Sequence, residues 1–392
     1  MSDVVIVSAK RTPIGAFQGA LAPLTAPQLG SAAIKAAIEA AGVTAADIQE
    51  VIMGNVLSAG LGQAPARQAA LGAGVPVGTP AVTLNKMCGS GLKAVMMAAD
   101  QIRTGDVEIV LAGGLESMTN APYLLPKARG GYRMGHGEIL DHMFYDGLQS
   151  PYDGQMMGHF ADVTAKKYEF SRAEQDAFAA ESVRRAMRAL EAGDFDREVT
   201  PVTVKTRKGD VVVSRDETPG TCSIEKIPSL KPAFGKDGTV TAASSSSISD
   251  GAAALVLMSS AAAKARGLKP LARVLAYASY AQEPEWFTLA PIGAIKKTLA
   301  KLGWRPHDAD LYEINEAFAA VTMVAMREVD IDHGRVNVNG GACALGHPIG
   351  ATGARILTTL IHGLHRRGGK RGIASLCIGG GEAVALAVEV VT

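Results

Sequence analysis

The sequence is poor in cysteine, in aromatic residues and in net charge. Its 392 residues include 4 cysteines, far apart and without a CxxC pair, so we expect no zinc site and no disulfide scaffold, but a reducing compartment such as the cytoplasm. A formal net charge of +1 gives no overall field that would attract nucleic acid or an anionic membrane. No apolar run reaches the length of a membrane span, and the first residues do not resemble a signal peptide. We therefore expect no nucleic-acid partner and no membrane association.

Apolar residues and glycine, in contrast, are abundant. Hydrophobic residues make up 47% of the chain, charged residues 20%, and there are 44 glycines, as is typical of a large protein with tight turns and close helix–sheet packing. Strands that are apolar throughout, such as Val4–Ser8 and Val107–Ala112, alternate with helical patterns such as Ala26–Gly42. This alternation predicts an α/β fold whose sheets are covered on both faces.

The second half of the chain repeats the first. In both halves a helix is closed by glycine and followed by a strand. In both, an apolar strand is also predicted to run into a Gly-Gly turn, at Gly113-Gly114 and within Gly379–Gly381. Such a repeat predicts two similar α/β halves whose equivalent loops converge at one place. The residue pairs that share one common offset are Lys35 with Lys296, Gly42 with Gly303, and Asp47 with Asp308.

The repeat and a change in composition suggest the domain boundaries. From about Thr119, Gly, Pro, Tyr, Met and His become frequent, and a charged helix (Ser171–Ala192) and a hairpin follow. We predict an N-terminal half at residues 1–118, completed by about 249–270, an inserted domain at 119–248, and a C-terminal half at 271–392. The inserted block is typical of a lid or a ligand-binding excursion.

One cysteine, Cys88, lies on a bend between a strand and a helix. An apolar run, Ala81–Leu84, precedes a small-residue turn that contains Cys88, and a helical pattern follows from Leu92. Free N–H groups and the positive end of the helix dipole stabilise a thiolate, or an oxyanion beside it. Cys88 is therefore either a nucleophile or a buried structural cysteine, and this stretch alone leaves both interpretations open.

Three loops of the second half carry further reactive groups at strand ends or bends, where α/β folds bind ligands. They supply the amide of Asn315, the imidazole of His347 and the thiol of Cys377. A cysteine with a histidine partner is a nucleophile–base pair for acyl transfer, and a second thiol poised near neutrality can take a carbon-bound proton. Gly379 allows backbone N–H groups to approach an oxyanion. Taken singly, His347 also fits a structural turn and Cys377 fits packing.

These loops together make the sequence resemble the thiolase family along essentially its whole length. The resemblance implies the thiolase fold, with two similar βαβαβαββ halves in a five-layer α-β-α-β-α arrangement and an inserted loop domain that binds coenzyme A. The motifs that carry it are Asn85–Gly91, Gly113–Met118, Asn315–Ala319, Gly346–Gly353 and Cys377–Gly381.

The resemblance also implies residue roles. Cys88 becomes S-acylated, His347 activates it and helps hold the thioester oxygen of the second substrate, and Cys377 moves the α-proton of acetyl-CoA. Asn315, through a water, completes one oxyanion hole with His347, and the N–H groups of Cys88 and Gly379 form the other. The implied activity is that of an acetyl-CoA C-acetyltransferase, with coenzyme A as substrate and product, no metal or redox cofactor, and a homotetramer (a dimer of dimers) or a dimer as the assembly.

Several positions of the implied coenzyme A and acyl site depart from the family pattern. Met156 stands where a histidine is usual, Ser244 lies in an altered serine run, Phe287 is bulkier than the usual residue, and Glu382 replaces Met or Gln. These departures bear on acyl-chain preference and coenzyme A affinity. The expected site residues are Ser246, Met156, Met157, Ala317, Phe318, Phe234, Phe287 and Ala243.

Three alternatives remain beside the short-chain thiolase. One is a longer-chain 3-ketoacyl-CoA thiolase of fatty acid degradation; the bulk of Phe287 favours short chains instead. The second is a ketoacyl-synthase-like condensing enzyme, which is expected to use two histidines and not Cys377. The third is a non-catalytic acyl-CoA carrier, which predicts the loss of a reactive residue.

Overall fold

The computed structural model describes residues 3–391; Met1, Ser2 and Thr392, at the outer ends of the two predicted halves, lie outside the described residues. The strands are β1 (Val4–Arg11), β2 (Gly15–Ala16), β3 (Glu50–Gly54), β4 (Ala81–Leu84), β5 (Ile109–Ser117), β6 (Tyr123–Leu124), β7 (Leu140–Asp141), β8 (Val202–Thr206), β9 (Gly209–Val213), β10 (Ser249–Ser259), β11 (Ala272–Ala281), β12 (Leu311–Ile314), β13 (Arg371–Ile378) and β14 (Glu382–Val390). The α-helices are α1 (Ala26–Ala41), α2 (Pro65–Gly72), α3 (Ser90–Thr104), α4 (Met157–Lys167), α5 (Arg172–Glu191), α6 (Ser260–Ala265), α7 (Ala290–Leu302), α8 (Ala319–Val329), α9 (Ala342–Leu345) and α10 (Thr352–Arg367).

The predicted repeat is visible in the order of the strands. In the N-terminal half the order is β4-β3-β5-β10-β1; β4, β3 and β5 are parallel, and β10 is antiparallel to both of its neighbours. In the C-terminal half, β12-β13-β14-β11 has the same pattern, and a parallel bridge from Tyr312 to Val336 takes the place of the outer strand. The two sheets meet where β1 pairs with β11 through Val5–Arg273 and Ile6–Ala272.

The side chains of the strands alternate between helices on opposite faces. In β1, Val4 and Ile6 belong to a core built with α3 and α10, whereas Val5 and Val7 pack towards α1. Helix α7 covers the outer face of the second sheet. Layers therefore follow one another as α1 and α2, sheet, α3 and α10, sheet, α7 and α8, which confirms the predicted five-layer α/β fold.

The residues with a common offset have the same structural task in both halves. Gly42 ends α1 and Gly303 ends α7, with φ of 68° and 64°, a left-handed conformation that glycine adopts without a steric penalty. In the turn that follows each helix, Asp47 accepts the N–H of Thr44 and Asp308 accepts the N–H of Arg305, each at 2.8 Å. The shared offset thus reflects one helix-to-strand connection used twice.

The predicted Gly-Gly turn at residues 113 and 114 is wrong, because both glycines lie inside β5. A Cβ on Gly113 would come within 2.0 Å of the carbonyl oxygen of Ala253, and one on Gly114 within 2.1 Å of that of Gly350. These glycines therefore permit close approach of backbones. The corresponding glycines of the second half, Gly380 and Gly381, do form a turn, with φ of 93° and 89°.

Between β5 and β10 the chain leaves the sheets for a long excursion that contains β6 to β9, α4 and α5. The predicted charged helix corresponds to α5, and Ser171 and Glu174 form a capping box at its start. The excursion is anchored to the core by a fully buried guanidinium, Arg11, which donates to Glu198 at 2.6 Å and to Asp216 at 2.7 and 2.9 Å. Within residues 3–391, every helix is too short or too polar to cross a lipid bilayer.

Candidate active site

Cys88 lies in a tight turn between β4 and α3. The residue before it, Met87, has a φ of 46°, an uncommon conformation for a side chain other than glycine. Ser90 fixes this turn, because its hydroxyl accepts the N–H of Lys86 at 2.8 Å and donates to the carbonyl of Met87 at 2.6 Å. A Cβ on Gly89 would lie 2.4 Å from Ile378, so glycine here lets the turn pack against the end of β13.

Cys88 is half-buried, and this burial controls the charge of its thiol. It raises the pKa of the thiol to about 11, with a smaller contribution from the carboxylate of Glu116. The backbone N–H groups of Gly379 and Cys88 interact with the sulfur and lower the pKa, but burial outweighs them. The thiolate expected at this helix terminus is therefore not the resting form, and Cys88 needs a base.

His347 is the candidate for that base. Its Nδ1 lies 2.6 Å from the hydroxyl of Thr352, which itself donates to the carbonyl of Pro348 at 2.8 Å. Because the hydroxyl proton is used on Pro348, the hydroxyl accepts from Nδ1–H, and this leaves Nε2 as the unprotonated nitrogen. Nε2 is buried without a protein partner. Burial, together with the charge of Arg355, lowers the pKa of His347 to about 3, so the ring is neutral and Nε2 can accept a proton.

Asn315 follows β12 directly, as predicted, and is 1% exposed. Its backbone N–H donates to Ser375 at 3.0 Å, whereas both atoms of its side-chain amide lack a protein partner. A buried amide without partners is costly in a structural position. The amide of Asn315 is thus available to a ligand.

Cys377 lies at the end of β13 and is fully buried. Burial, and the neighbouring Cys88, raise its pKa well above the ordinary value for a thiol. The expectation of a thiol poised near neutrality is therefore wrong for the resting enzyme. Cys377 packs in one apolar cluster with three of the predicted substrate residues, Phe287, Ala317 and Phe318.

A cavity of about 170 Å³ opens next to His347. Of the residues predicted to contact substrate, Ser246, Met156, Met157, Phe234 and Phe318 line it. Phe318 and Phe234 pack edge to face, with ring centroids 5.9 Å apart.

The structure does not bring all predicted substrate residues to this cavity. Phe287 and Ala317 lie in the apolar cluster around Cys377, with the Phe287 ring 6.1 Å from that of Phe160. Ala243 is half-buried in the serine-rich loop and does not line the cavity.

The other lining residues were not predicted to be site residues, although Met118 and Ile349 lie inside two of the five motifs. They are Met118, Phe144, Leu148, Gly158, Ser245, Ser247, Ile248 and Ile349. Thr352 was equally unmarked, although it lies inside the Gly346–Gly353 motif. The spacing of five residues between His347 and Thr352 does not predict a hydrogen bond, because the contact depends on the bend that brings the two side chains together.

No cluster of three or more His, Cys, Asp or Glu side chains within residues 3–391 is arranged to hold a metal ion. The reactive set is therefore two thiols, one neutral imidazole and one amide at the junction of two repeated halves. That set, on this fold, belongs to the class of acyl-transferring enzymes that form a thioester with cysteine.

Comparison with known proteins identifies the family. The family model for the N-terminal domain of thiolase matches residues 4–261, and the model for the C-terminal domain matches residues 268–390. The chain belongs to the thiolase family.

The similar proteins cover the chain from end to end. The acetyl-CoA acetyltransferase of Pseudomonas aeruginosa is 53% identical over 389 residues, which span 98% of this chain and 99% of that protein. That of Escherichia coli K12 is 50% identical over 391 residues, with 99% of each chain covered.

Two crystal structures have the same fold. The acetyl-CoA acetyltransferase of Bacillus anthracis aligns with a TM-score of 0.98 and 46% identity, covering 100% of this chain and 99% of that one. The Acat5 thiolase of Ascaris suum in complex with coenzyme A aligns with a TM-score of 0.95 and 44% identity, covering 99% of this chain and 100% of that one.

The hydrogen bond between Thr352 and His347 can be tested by substitution. Thr352→Val keeps the shape of the side chain and removes the acceptor that fixes the imidazole. We expect kcat of thiolysis to fall roughly 10- to 100-fold, since a hydrogen bond to a charged form is worth about 1.5–3 kcal/mol. Steady-state kinetics with purified protein measure this.

Thr358→Val is the matched control. Thr358 is buried on the same helix, and its hydroxyl donates to the carbonyl of Ala354 at 2.9 Å, without a contact to His347. Equal effects of the two substitutions on kcat would contradict the role given to Thr352.

Proposed function

We propose that the chain is an acetyl-CoA C-acetyltransferase. It condenses two molecules of acetyl-CoA to acetoacetyl-CoA and coenzyme A, and catalyses the reverse thiolytic cleavage, through an acetyl group on Cys88. The observation that carries this proposal is the interaction of the half-buried thiol of Cys88 with the buried thiol of Cys377, together with a neutral His347 that lines an apolar cavity. The acetyl-CoA acetyltransferases among the relatives support the same reaction.

In the first half-reaction, His347 Nε2 takes the proton of Cys88 and the thiolate attacks the thioester carbon of acetyl-CoA. The N–H groups of Cys88 and Gly379, which interact with the sulfur in the resting site, then donate to the oxyanion that forms beside it. As the tetrahedral species collapses, the carbon–sulfur bond to coenzyme A breaks. Cys377, a thiol at rest, gives its proton to the departing sulfur.

The second half-reaction restores every proton. The Cys377 thiolate removes the α-proton of a second acetyl-CoA, and the enolate oxygen accepts hydrogen bonds from protonated His347 and, through water, from Asn315. The α-carbon then attacks the acetyl group on Cys88. Cys88 leaves as a thiolate, takes the proton from His347, and the two thiols and the neutral imidazole are regenerated.

Cys377 also distinguishes this reaction from that of a decarboxylating condensing enzyme. Such an enzyme needs no base for an α-proton, because loss of carbon dioxide generates the carbanion. A fully buried second thiol next to the nucleophile favours proton abstraction. The second thiol also disfavours a non-catalytic carrier, because a carrier requires no base.

Coenzyme A is proposed to bind along the excursion, here taken as a loop domain at residues 119–248. Phe234 lines both the cavity beside His347 and a cleft of about 720 Å³, whose lining includes Lys166 and Lys236 as well as acidic side chains. An apolar channel fits the pantetheine arm, and the lysines offer charge to phosphate groups. The Ascaris suum thiolase, which is similar over 99% of this chain, was crystallised with coenzyme A.

A homotetramer, built as a dimer of dimers, is the assembly we propose. Two separate surfaces support it. β4 is the outer strand of its sheet and exposes Val82, and an outer strand with free backbone groups is a site for pairing. In the excursion, the large apolar side chains of Tyr123, Met134 and Ile139 have exposed fractions of 68%, 97% and 66%. Exposed apolar side chains of this kind are typical of an interface. A cytoplasmic location stays a prediction from cysteine usage.

The covalent intermediate is the direct test of the reaction. After incubation with acetyl-CoA and rapid acid quenching, mass spectrometry is expected to find one acetyl group on Cys88 in the wild-type protein and none in Cys88→Ser. In Cys377→Ser the acetyl group should still form, and acetoacetyl-CoA should not accumulate. Label on another residue, or full turnover by Cys88→Ser, would contradict the proposal.

Acyl-chain preference can be tested with 3-ketoacyl-CoA thioesters of increasing length. We expect thiolysis to fall sharply beyond four carbons, because Phe287 is buried against Phe160 in the cluster that contains Cys377. Phe287→Ala should raise the activity ratio of the six-carbon to the four-carbon substrate about 10-fold, the order expected for space worth one or two methylenes. Phe178→Ala, which removes a buried ring stacked on His333, is the control. Equal wild-type activity at every length would instead indicate a degradative 3-ketoacyl-CoA thiolase.

A further inference from the structure

Glu116 is a buried carboxylate that the proposed reaction does not use. It lies near the end of β5 and is 0% exposed. Although its neighbourhood includes the nucleophile, whose pKa it raises, no step described above needs it. A carboxylate is costly to bury unless its oxygens are fully paired, so its contacts are informative.

Both oxygens of Glu116 are saturated by donors from two different loops. Oε1 accepts from the side chain of Asn55 at 2.7 Å and from the N–H of Leu57 at 3.1 Å. Oε2 accepts from the N–H of Val56 at 3.0 Å and from the N–H of Gly350 at 2.8 Å. All four partners are N–H donors, which favour the ionised carboxylate, whereas burial acts in the opposite direction and raises the pKa of Glu116 to about 7.

These two loops flank the two reacting residues. Gly350 is three residues beyond His347. On the other side, the N–H of Asn55 donates to the carbonyl of Leu84 at 2.9 Å, at the end of the strand that leads into the Cys88 turn. The carboxylate therefore connects the loop of the base to the strand of the nucleophile, and these come from different halves of the repeat.

The surrounding glycines show how closely this junction is packed. A Cβ on Gly350 would lie 2.6 Å from Glu116 Oε2, and one on Gly54 would lie 2.6 Å from Ser90 and 2.8 Å from the carbonyl of Gly350. Backbone segments from three loops thus meet around one carboxylate. A shift of this carboxylate must move Gly350, and with it the loop that carries His347.

We propose that Glu116 is a positioning residue, which holds the His347 loop at reacting distance from Cys88 through the N–H of Gly350. This inference rests on the proposed acyl transfer. Glu116 contacts neither the substrate nor the reacting atoms. It acts indirectly, by fixing the distance between Cys88 and His347, the two residues that exchange a proton. Misplacement by about 1 Å in such a pair costs on the order of 100-fold in rate.

Glu116→Gln tests this role. The amide keeps the shape of the side chain, but its NH₂ group replaces one oxygen and faces two N–H donors there, so two of the four hydrogen bonds between Glu116 and the loops are lost. We expect kcat and the single-turnover rate of Cys88 acetylation to fall roughly 10- to 100-fold, with KM for acetyl-CoA unchanged, because Glu116 does not line the cavity. Stopped-flow acetylation and steady-state kinetics give both quantities.

Asp250→Asn is the matched control. Asp250 is a fully buried carboxylate on the neighbouring strand, opposite Ser117, and it accepts from Ser117 and from the N–H of Thr119 but not from the His347 loop. Both variants are expected to lower the thermal midpoint. Only Glu116→Gln should lower kcat.

Asn55→Ala is a second, milder variant that tests the same role if the Glu116→Gln protein does not fold. It removes one of the four donors and should lower kcat about 3- to 10-fold, again at constant KM. A wild-type protein that is never acetylated would refute the proposed function itself. An active wild type combined with unchanged kcat in Glu116→Gln and Asn55→Ala, or with an equal loss in Asp250→Asn, would overturn the positioning role alone.

Discussion

Burial of the reacting groups is the constraint on which the rest of the site depends. Desolvation at the junction of the two halves disfavours the charged forms of the reacting groups: it raises the pKa values of Cys88 and Cys377 and lowers that of His347. The two thiols and the imidazole are therefore neutral at rest. Charge develops on these groups and on the substrate oxygen only during the reaction. The N–H groups, the imidazole and the free amide that face this charge are already in place, and such preorganised dipoles stabilise charge most strongly in a low dielectric.

The two-fold repeat brings these reacting groups together from two halves of the chain. One half supplies the nucleophile and its backbone N–H, and the other supplies the base, the amide and the second thiol. The loops approach closely because glycines stand where a Cβ would clash, as at Gly89 against Ile378 and at Gly114 against Gly350. Polar groups at these contacts are paired across the halves, most clearly where Glu116 accepts the N–H of Gly350. Close packing and satisfied hydrogen bonds together fix distances that no single loop could fix.

Much of this arrangement was predictable from the sequence, because it depends on local patterns repeated at one offset. The matched helix ends at Gly42 and Gly303 indicated two equivalent halves, and the five motifs placed the reactive residues at strand ends. The sequence was misleading where burial decides. It suggested a stabilised thiolate at Cys88 and a thiol with a pKa near neutrality at Cys377. A helix terminus can be recognised in a sequence, whereas the extent to which a sulfur atom is buried cannot. The bond from His347 to Thr352 and the donors to Glu116 depend on bends and long-range contacts that no local pattern encodes.

The most direct test of the central claim is the ionisation of Cys88 in the resting enzyme. The ultraviolet absorbance of the thiolate, taken as the difference between wild type and Cys88→Ser during a pH titration, reports it without substrate. A neutral pair of Cys88 thiol and His347 imidazole predicts no thiolate absorbance at neutral pH and a rise only towards pH 11. A thiolate band already present at neutral pH, with a midpoint below the ordinary cysteine value of about 8.5, would mean a preformed thiolate–imidazolium pair and would contradict the account.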